Sequence, residues 1–253
     1  MFNIVIPARY ASQRLPGKPL CDIAGKPMIQ HVYERAKSSG AKEVIIATDD
    51  ERVATAAKNF GGTVCMTSTD HRSGTDRIAE VIAIRGYKDE EVIVNMQGDE
   101  PLMPPTLLTE AASLCQSTKA DIVTAAEWIH HAEEIFNPNV VKVLLDEKGY
   151  ALYFSRAPIP WDRNHFPNGM ASKKLDNKIY RRHIGLYAYR AGFVKDYVSW
   201  PQSQLEKTES LEQLRALEQG KKIYVFDVNC DPGFGVDTEE DLEKVINLIT
   251  TKP

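Results

Sequence analysis

The 253-residue chain is long enough for one large domain, or for one domain carrying a small appended lobe. With 43% hydrophobic and 26% charged residues it can bury a core. Its formal net charge of -4 supplies no global basic field for nucleic acid or an anionic membrane, so an anionic small molecule would need locally clustered Lys and Arg.

Met1 leads directly into the strand-like run Phe2–Ile6, so no secretory leader is expected. No apolar stretch approaches the roughly 18 residues of a membrane helix. Cys21, Cys65, Cys115 and Cys230 are widely spaced and form no C-x-x-C pair, which argues against a zinc cage and fits free thiols in the cytoplasm.

In chain order, Asn3–Pro7 reads as a buried strand, followed by a loop rich in Arg, Gly and Pro. Pro27–Ser39 is helical, with Met28, Ile29, Val32, Tyr33 and Ala36 on one face and Gly40 as its stop. Strands at Glu43–Thr48, Thr63–Met66 and Glu91–Met96 alternate with helices at Glu51–Phe60 and Arg72–Arg85. That rhythm predicts βαβ units and a mostly parallel sheet covered by helices on both faces.

From about Ala120 the rhythm changes. Ile122–Glu127, Val140–Asp146 and Ala151–Ser155 read as strands without crossover helices, followed by a loop holding Pro158, Pro160, Pro167 and Gly169. His183–Tyr189 and Lys222–Val228 are strands, Leu211–Leu217 is a helix, and the closing helix starts near Thr238. We read a single domain over residues 1–253, with about 120–190 forming a smaller, partly antiparallel lobe.

The segment after the first strand carries the strongest chemical signal. Pro7-Ala8-Arg9 leads through Arg14 to Pro16-Gly17-Lys18-Pro19, placing three cations on a Gly- and Pro-shaped loop at the carboxyl end of a strand. Fixed cations there suit a triphosphate, whose charge must be neutralised during transfer. The segment is not a Walker loop, and no G-x-G-x-x-G follows a strand.

A second strand runs into Gln97-Gly98-Asp99-Glu100-Pro101, where a turn presents a carboxylate that can hold Mg²⁺ or merely close the strand. Asp237 offers a second carboxylate just ahead of Thr238 and Asp241, which have N-cap and N3 spacing. Ser73-Gly74-Thr75-Asp76 has capping-box spacing and also opens a helix that could meet nucleotide oxygens. His183, Gly185, Tyr187 and Tyr189 share one strand face, opposite Ile184, Leu186 and Ala188. Glu212 and Gln213 open a helix, where Gln213 could equally box-cap Ser210.

Together these segments resemble the sugar nucleotidyltransferases. Colinear blocks narrow the resemblance to the 3-deoxy-manno-octulosonate (Kdo) cytidylyltransferases. They are Ile6–Arg9, Leu15–Leu20, Ala47–Asp50, Ser73–Arg77, Asn95–Pro101, Tyr153–Arg156, Ile159–Arg163, His183–Tyr187 and Gly235–Thr238. The resemblance implies a Rossmann-like nucleotidyltransferase sheet and transfer of CMP from CTP to Kdo. The products are CMP-Kdo, for lipopolysaccharide biosynthesis, and pyrophosphate.

Carried over position by position, Arg9, Arg14 and Lys18 grip the CTP phosphates and, with Asp99, make the catalytic set. Pro7, Ala8, Ser73, Gly74, Thr75 and Gln97 lie against the nucleotide. Gln97, Arg163, His183, Tyr187, Glu212 and Gln213 line the sugar-acid pocket, and Asp99 and Asp237 hold Mg²⁺. The resemblance also implies a homodimer joined through the smaller lobe. Asn229–Phe234, just before Asp237, departs somewhat from the family pattern.

Rival readings are a cytidylyltransferase for another sugar acid or phosphosugar, a nucleotide-sugar-dependent glycosyltransferase, and a non-catalytic nucleotide sensor. Arg163 beside Trp161 argues against another substrate for the same chemistry. The turn Gly98-Asp99-Glu100-Pro101 replaces the D-x-D motif usual in glycosyltransferases.

Overall fold

The computed structural model describes residues 1–11, 14–164, 166 and 179–251; Pro167 and Gly169 of the proline-rich loop lie outside the described residues. The chain divides into a first unit of Met1–Gln116, Leu186–Ser199 and Asp231–Pro253, and a second of Ser117–Gly185 and Trp200–Cys230.

In the first unit, β1 (Phe2–Pro7) is followed by α1 (Met28–Lys37), β2 (Glu43–Thr48), α2 (Glu51–Asn59), β3 (Val64–Met66), α3 (Gly74–Arg85) and β4 (Val92–Asn95). Strand β1 pairs in parallel with β2 on one side and β4 on the other, Ile4 standing beside both Val44 and Val94. Strand β3 extends the sheet beyond β2, again in parallel. A strand flanked on both sides in such a sheet is covered above and below, which is why Ile4, Val5 and Ile6 form an unbroken apolar run with no exposed surface. Pro7 ends it, and the loop with the three cations leaves from the centre of the sheet's carboxyl edge.

The elements expected in this half form with shifts of one or two residues at their ends. Helix α4 (Pro105–Ser117) was not anticipated, since no element was read between Met96 and Ala120. Its buried Leu107, Leu108, Ala111, Ala112 and Cys115 keep helical spacing, and proline is well tolerated at a first helical position.

The chain then builds the second unit with β5 (Ile122–Trp128), the short α5 (Ala132–Phe136), β6 (Lys142–Leu145) and β7 (Ala151–Ser155). Next comes β8 (Arg181–Arg190), whose later residues Tyr187–Arg190 belong to the first unit and run antiparallel to β4. Helix α6 (Ala191–Ser199) belongs to the first unit; α7 (Gln204–Glu209), α8 (Gln213–Glu218) and β9 (Ile223–Asp227) to the second; and α9 (Glu239–Thr251) to the first. In the second unit β5 and β9 are parallel, whereas β6 is antiparallel to β7 and to Arg181–Arg182 of β8. The architecture is therefore α/β, mostly parallel in the first unit and mixed in the second.

Lys142 braces the second unit from within. Its side chain is fully buried, and its ammonium donates to the carbonyls of Asn137, Val140 and Arg156 at 3.0, 2.6 and 2.7 Å. Three donors meet three acceptors, so the charge is solvated by backbone dipoles. Lys142→Met would leave those carbonyls without their donor, and a loss of about 3 kcal/mol of unfolding free energy is expected from urea denaturation.

Candidate active site

Every candidate residue on the nucleotide side lies in the first unit. The loop after β1 closes on itself where the Gly17 N–H donates to the Tyr10 carbonyl at 3.2 Å. Gly17 has φ 70°, a left-handed conformation that favours glycine, and it turns the chain into a short 3₁₀ segment, Lys18–Leu20. Lys18 points inward, its side chain only 13% exposed, and its ammonium donates to Asp99 Oδ2 at 2.7 Å and Asp237 Oδ1 at 2.9 Å. Arg14 Nη2 reaches the same Asp237 oxygen at 3.0 Å. Burial works against the charge on Lys18, but Asp99 and then Asp237 outweigh it and raise its pKa above the ordinary lysine value. Lys18 is thus a fixed cation.

Local chain geometry delivers the two carboxylates. Beyond β4, a Cβ on Gly98 would sit 2.8 Å from the Pro7 carbonyl oxygen, so only glycine lets this turn lie against the end of β1. The next residue is Asp99. Its carbonyl accepts the Val236 N–H at 2.9 Å, which places Asp237 one residue further on. Within Asn229–Phe234, Gly233 adopts φ 75° and a Cβ there would meet Leu102 at 2.6 Å.

The capping expected for the last helix is present. Thr238 Oγ1 accepts from the Asp241 N–H, and Asp241 Oδ2 accepts from the Thr238 N–H and hydroxyl. Thr238 and Asp241 do the capping, which leaves the Asp237 carboxylate directed at Lys18 and Arg14.

The start of α3 closes on the other side of β1. Ser73 and Asp76 form the full capping box, so the Ser73 hydroxyl is engaged by the Asp76 N–H at 3.0 Å. Gly74 packs within ordinary contact of Pro7, while Thr75 is buried. Of the triplet Ser73–Thr75, Gly74 therefore brings bare backbone to the end of β1. Arg9 donates to the His71 carbonyl at 2.6 Å, tying the cation loop to the turn before α3. Ala8 is buried and donates its N–H to Ala47 O. Gln97 contacts the Asn95 side chain at 3.4 Å, and Tyr187 stands directly across from Asn95 in the β4–β8 pairing.

Motif reading gave no role to Arg77 or Asp49. Arg77 is fully buried and bonds Asp49 Oδ2 at 2.7 Å and the Thr67 hydroxyl, holding α3 to the end of β2. A charged side chain on the inward face of an apolar helix was its signal.

Arg163, His183, Glu212 and Gln213 belong to the second unit. Arg163 is exposed. Glu212 and Gln213 do open a helix, but Ser210 closes the preceding one in a left-handed conformation instead of pairing with Gln213 as a box. His183 Nε2 lies 2.9 Å from the Thr124 hydroxyl, and its ring packs edge-on to Phe154. Burial pushes its pKa down to about 3, so it is a neutral polar group and not a cation.

Asp99 and Asp237 fit Mg²⁺. They are hard oxygen donors from two chain segments that already share one ammonium, and Mg²⁺ typically takes one or two carboxylates plus substrate phosphates. Among the described residues no group of three or more His, Cys, Asp or Glu is arranged for a metal, so its other ligands would come from substrate and water.

A parallel sheet that gathers cations and a carboxylate pair at its strand ends has the equipment of an enzyme acting on phosphoanhydrides. The cytidylyltransferase family profile matches residues 3–223, and the chain belongs to that family. It is 57% identical over 99% of both chains to a 3-deoxy-manno-octulosonate cytidylyltransferase of Haemophilus influenzae (strain PittEE). It is 56% identical, again over 99% of each, to the protein of that name from Vibrio vulnificus (strain CMCP6). A solved CMP:2-keto-3-deoxy-manno-octonic acid synthetase complexed with CTP superposes with a TM-score of 0.88 at 44% identity, over 99% of both chains. A cytidylyltransferase from Leptospira borgpetersenii shares the fold at 17% identity and a TM-score of 0.63.

The neutral state of His183 has a measurable consequence. Its folded pKa lies below the ordinary 6.5, so the unfolded chain takes up a proton that the folded one refuses. Its contribution to stability is complete above about pH 6.5 and is lost as pH falls toward 3, at up to about 1.4 kcal/mol per pH unit. His183→Asn should flatten that acid limb in denaturation curves recorded between pH 7 and pH 4.

Proposed function

We propose that the protein transfers CMP from CTP to Kdo, giving CMP-Kdo and pyrophosphate, as a cytoplasmic step of lipopolysaccharide biosynthesis. The observation that carries this reading is Lys18 held between Asp99 and Asp237 at the end of β1, in a chain 57% identical end to end to a Kdo cytidylyltransferase.

The sugar's anomeric hydroxyl attacks the α-phosphorus in line, and pyrophosphate leaves. Lys18 and Arg14 face the leaving group, where negative charge grows as the bond breaks. Arg9, steadied by the His71 carbonyl, supplies a further cation at the phosphates. Asp99 and Asp237 would hold Mg²⁺, and the ion would there lower the pKa of the attacking hydroxyl and offset phosphate charge. Gly74 and the buried Ala8 bring backbone to the nucleotide, with Ser73 and Thr75 shaping that helix start. Gln97 and Tyr187 are the sugar-acid candidates of the first unit, and Arg163, His183, Glu212 and Gln213 those of the second. Arg163 is the cation suited to the sugar's carboxylate.

Two further assignments belong to this reading. Four free thiols suit a reducing cytoplasm, and no helix among the described residues is long and apolar enough to cross a membrane. A homodimer joined through the second unit is supported by Leu152 and Trp161, which expose 62% and 54% of their surface. Leu152→Glu should convert a dimer to a monomer in light scattering.

Pyrophosphate release on mixing the protein with CTP, Kdo and Mg²⁺ tests the activity, and comparable kcat/KM for UTP would exclude cytidine selectivity. Lys18→Met removes the charge and keeps most of the stem. It should cut kcat on the order of a hundredfold while changing the KM for CTP far less. A large rise in KM at constant kcat would place Lys18 in substrate binding alone.

A further inference from the structure

Lys18 acts only if the turn that carries it is held still, and the bonds to Asp99 and Asp237 hold the ammonium, not the backbone beneath it. Once phosphates arrive, the ammonium's partners change, and its position depends on the Gly17–Lys18 peptide. One residue outside the charged set grips that peptide twice. Tyr10 accepts the Gly17 N–H through its carbonyl at 3.2 Å, and its ring covers the Gly17 α-carbon. A Cβ at Gly17 would meet two ring carbons and the phenolic oxygen of Tyr10 at 3.2–3.3 Å. The bare α-carbon therefore serves two ends: it allows φ 70°, and it lets an aromatic ring lie flush against the turn.

The ring is itself braced. The Arg52 guanidinium lies over Tyr10 with its carbon 3.3 Å from the ring centroid. An exposed arginine would ordinarily sample many rotamers, but Asp50 takes both forks of this one, Nε to Oδ1 at 2.9 Å and Nη2 to Oδ2 at 2.6 Å. Asp50 is fixed in turn as the N-cap of α2, accepting the Arg52 N–H at 2.9 Å. A continuous chain of contacts thus runs from the helix start after β2, through Arg52 and Tyr10, to the residue before Lys18.

We propose that Tyr10, braced by Arg52, is a positioning residue for Lys18: its ring fixes the Gly17–Lys18 turn so that the ammonium meets the phosphates in register. This rests on the reading in which Lys18 acts on CTP. A platform of this kind uses the packing of the ring and the backbone carbonyl, and the phenolic oxygen adds only a van der Waals contact to Gly17. A misplacement of about 1 Å at a reacting group can cost on the order of a hundredfold in rate.

The test compares Tyr10→Ala, Tyr10→Phe and Arg52→Met with the wild type. Tyr10→Ala should lower kcat about 10- to 100-fold while the KM for CTP stays within about threefold. Tyr10→Phe should restore kcat. Arg52→Met should cost about two- to fivefold and add little in the Tyr10→Ala background, because the two act in one chain of contacts. Amide hydrogen exchange supplies a readout without turnover: Gly17 and Leu20, whose N–H groups close this turn, should exchange faster in Tyr10→Ala and normally in Tyr10→Phe.

Wild-type kcat in Tyr10→Ala would overturn the proposal, and so would a loss confined to KM, an equal loss in Tyr10→Phe, or unchanged exchange at Gly17 and Leu20. If the wild type itself releases no pyrophosphate, the functional reading fails instead, and hydrogen exchange still decides whether Tyr10 orders the turn.

Discussion

The first unit depends on one ammonium. Lys18 joins residues 81 and 219 positions away in the chain, and neither carboxylate has a covalent reason to be near the other. Two carboxylates converging in a partly buried space repel, and a cation between them offsets that repulsion. The lysine makes that convergence tolerable. The same requirement pre-forms a place where positive charge belongs, which is what a phosphate-transfer site needs before its substrate arrives. The folded chain and the proposed reaction thus rely on the same electrostatic arrangement.

Close approach of backbone makes the arrangement possible. Gly98 lies against the Pro7 carbonyl and Gly233 against Leu102. At Gly98 and Gly233 a side chain would push apart segments that must touch for Asp99 and Asp237 to reach Lys18. Packing in the buried parallel strands supplies the support, since Ile4, Val5 and Ile6 of β1 have no exposed surface. Rigid sheet, bare backbone and fixed charge therefore act together at the end of one strand.

Charge is handled differently in the second unit. Lys142 has carbonyl partners in place of carboxylates, Arg215 is paired bidentately with the buried Glu206, and His183 avoids charge altogether. Each device satisfies a polar group in place, within an apolar surrounding. Arg163, by contrast, is exposed.

By itself the sequence determined the strand–helix rhythm of the first half, the capping boxes at Ser73 and Thr238, and the special character of the loop from Pro7 to Leu20. These are local properties: periodicity, capping and turn chemistry act over a few residues and are written in neighbouring letters. Helix α4 was legible in principle from its buried spacing but was passed over behind two prolines. Only the tertiary structure decided that Asp237 leaves capping to Thr238 and Asp241, that Ser73 spends its hydroxyl on its own helix, and that Tyr10 lies between Arg52 and Gly17. Those outcomes depend on which distant backbones meet and on which charge finds a partner first. Long-range packing and Coulombic pairing set both, and neither leaves a periodic trace in the chain.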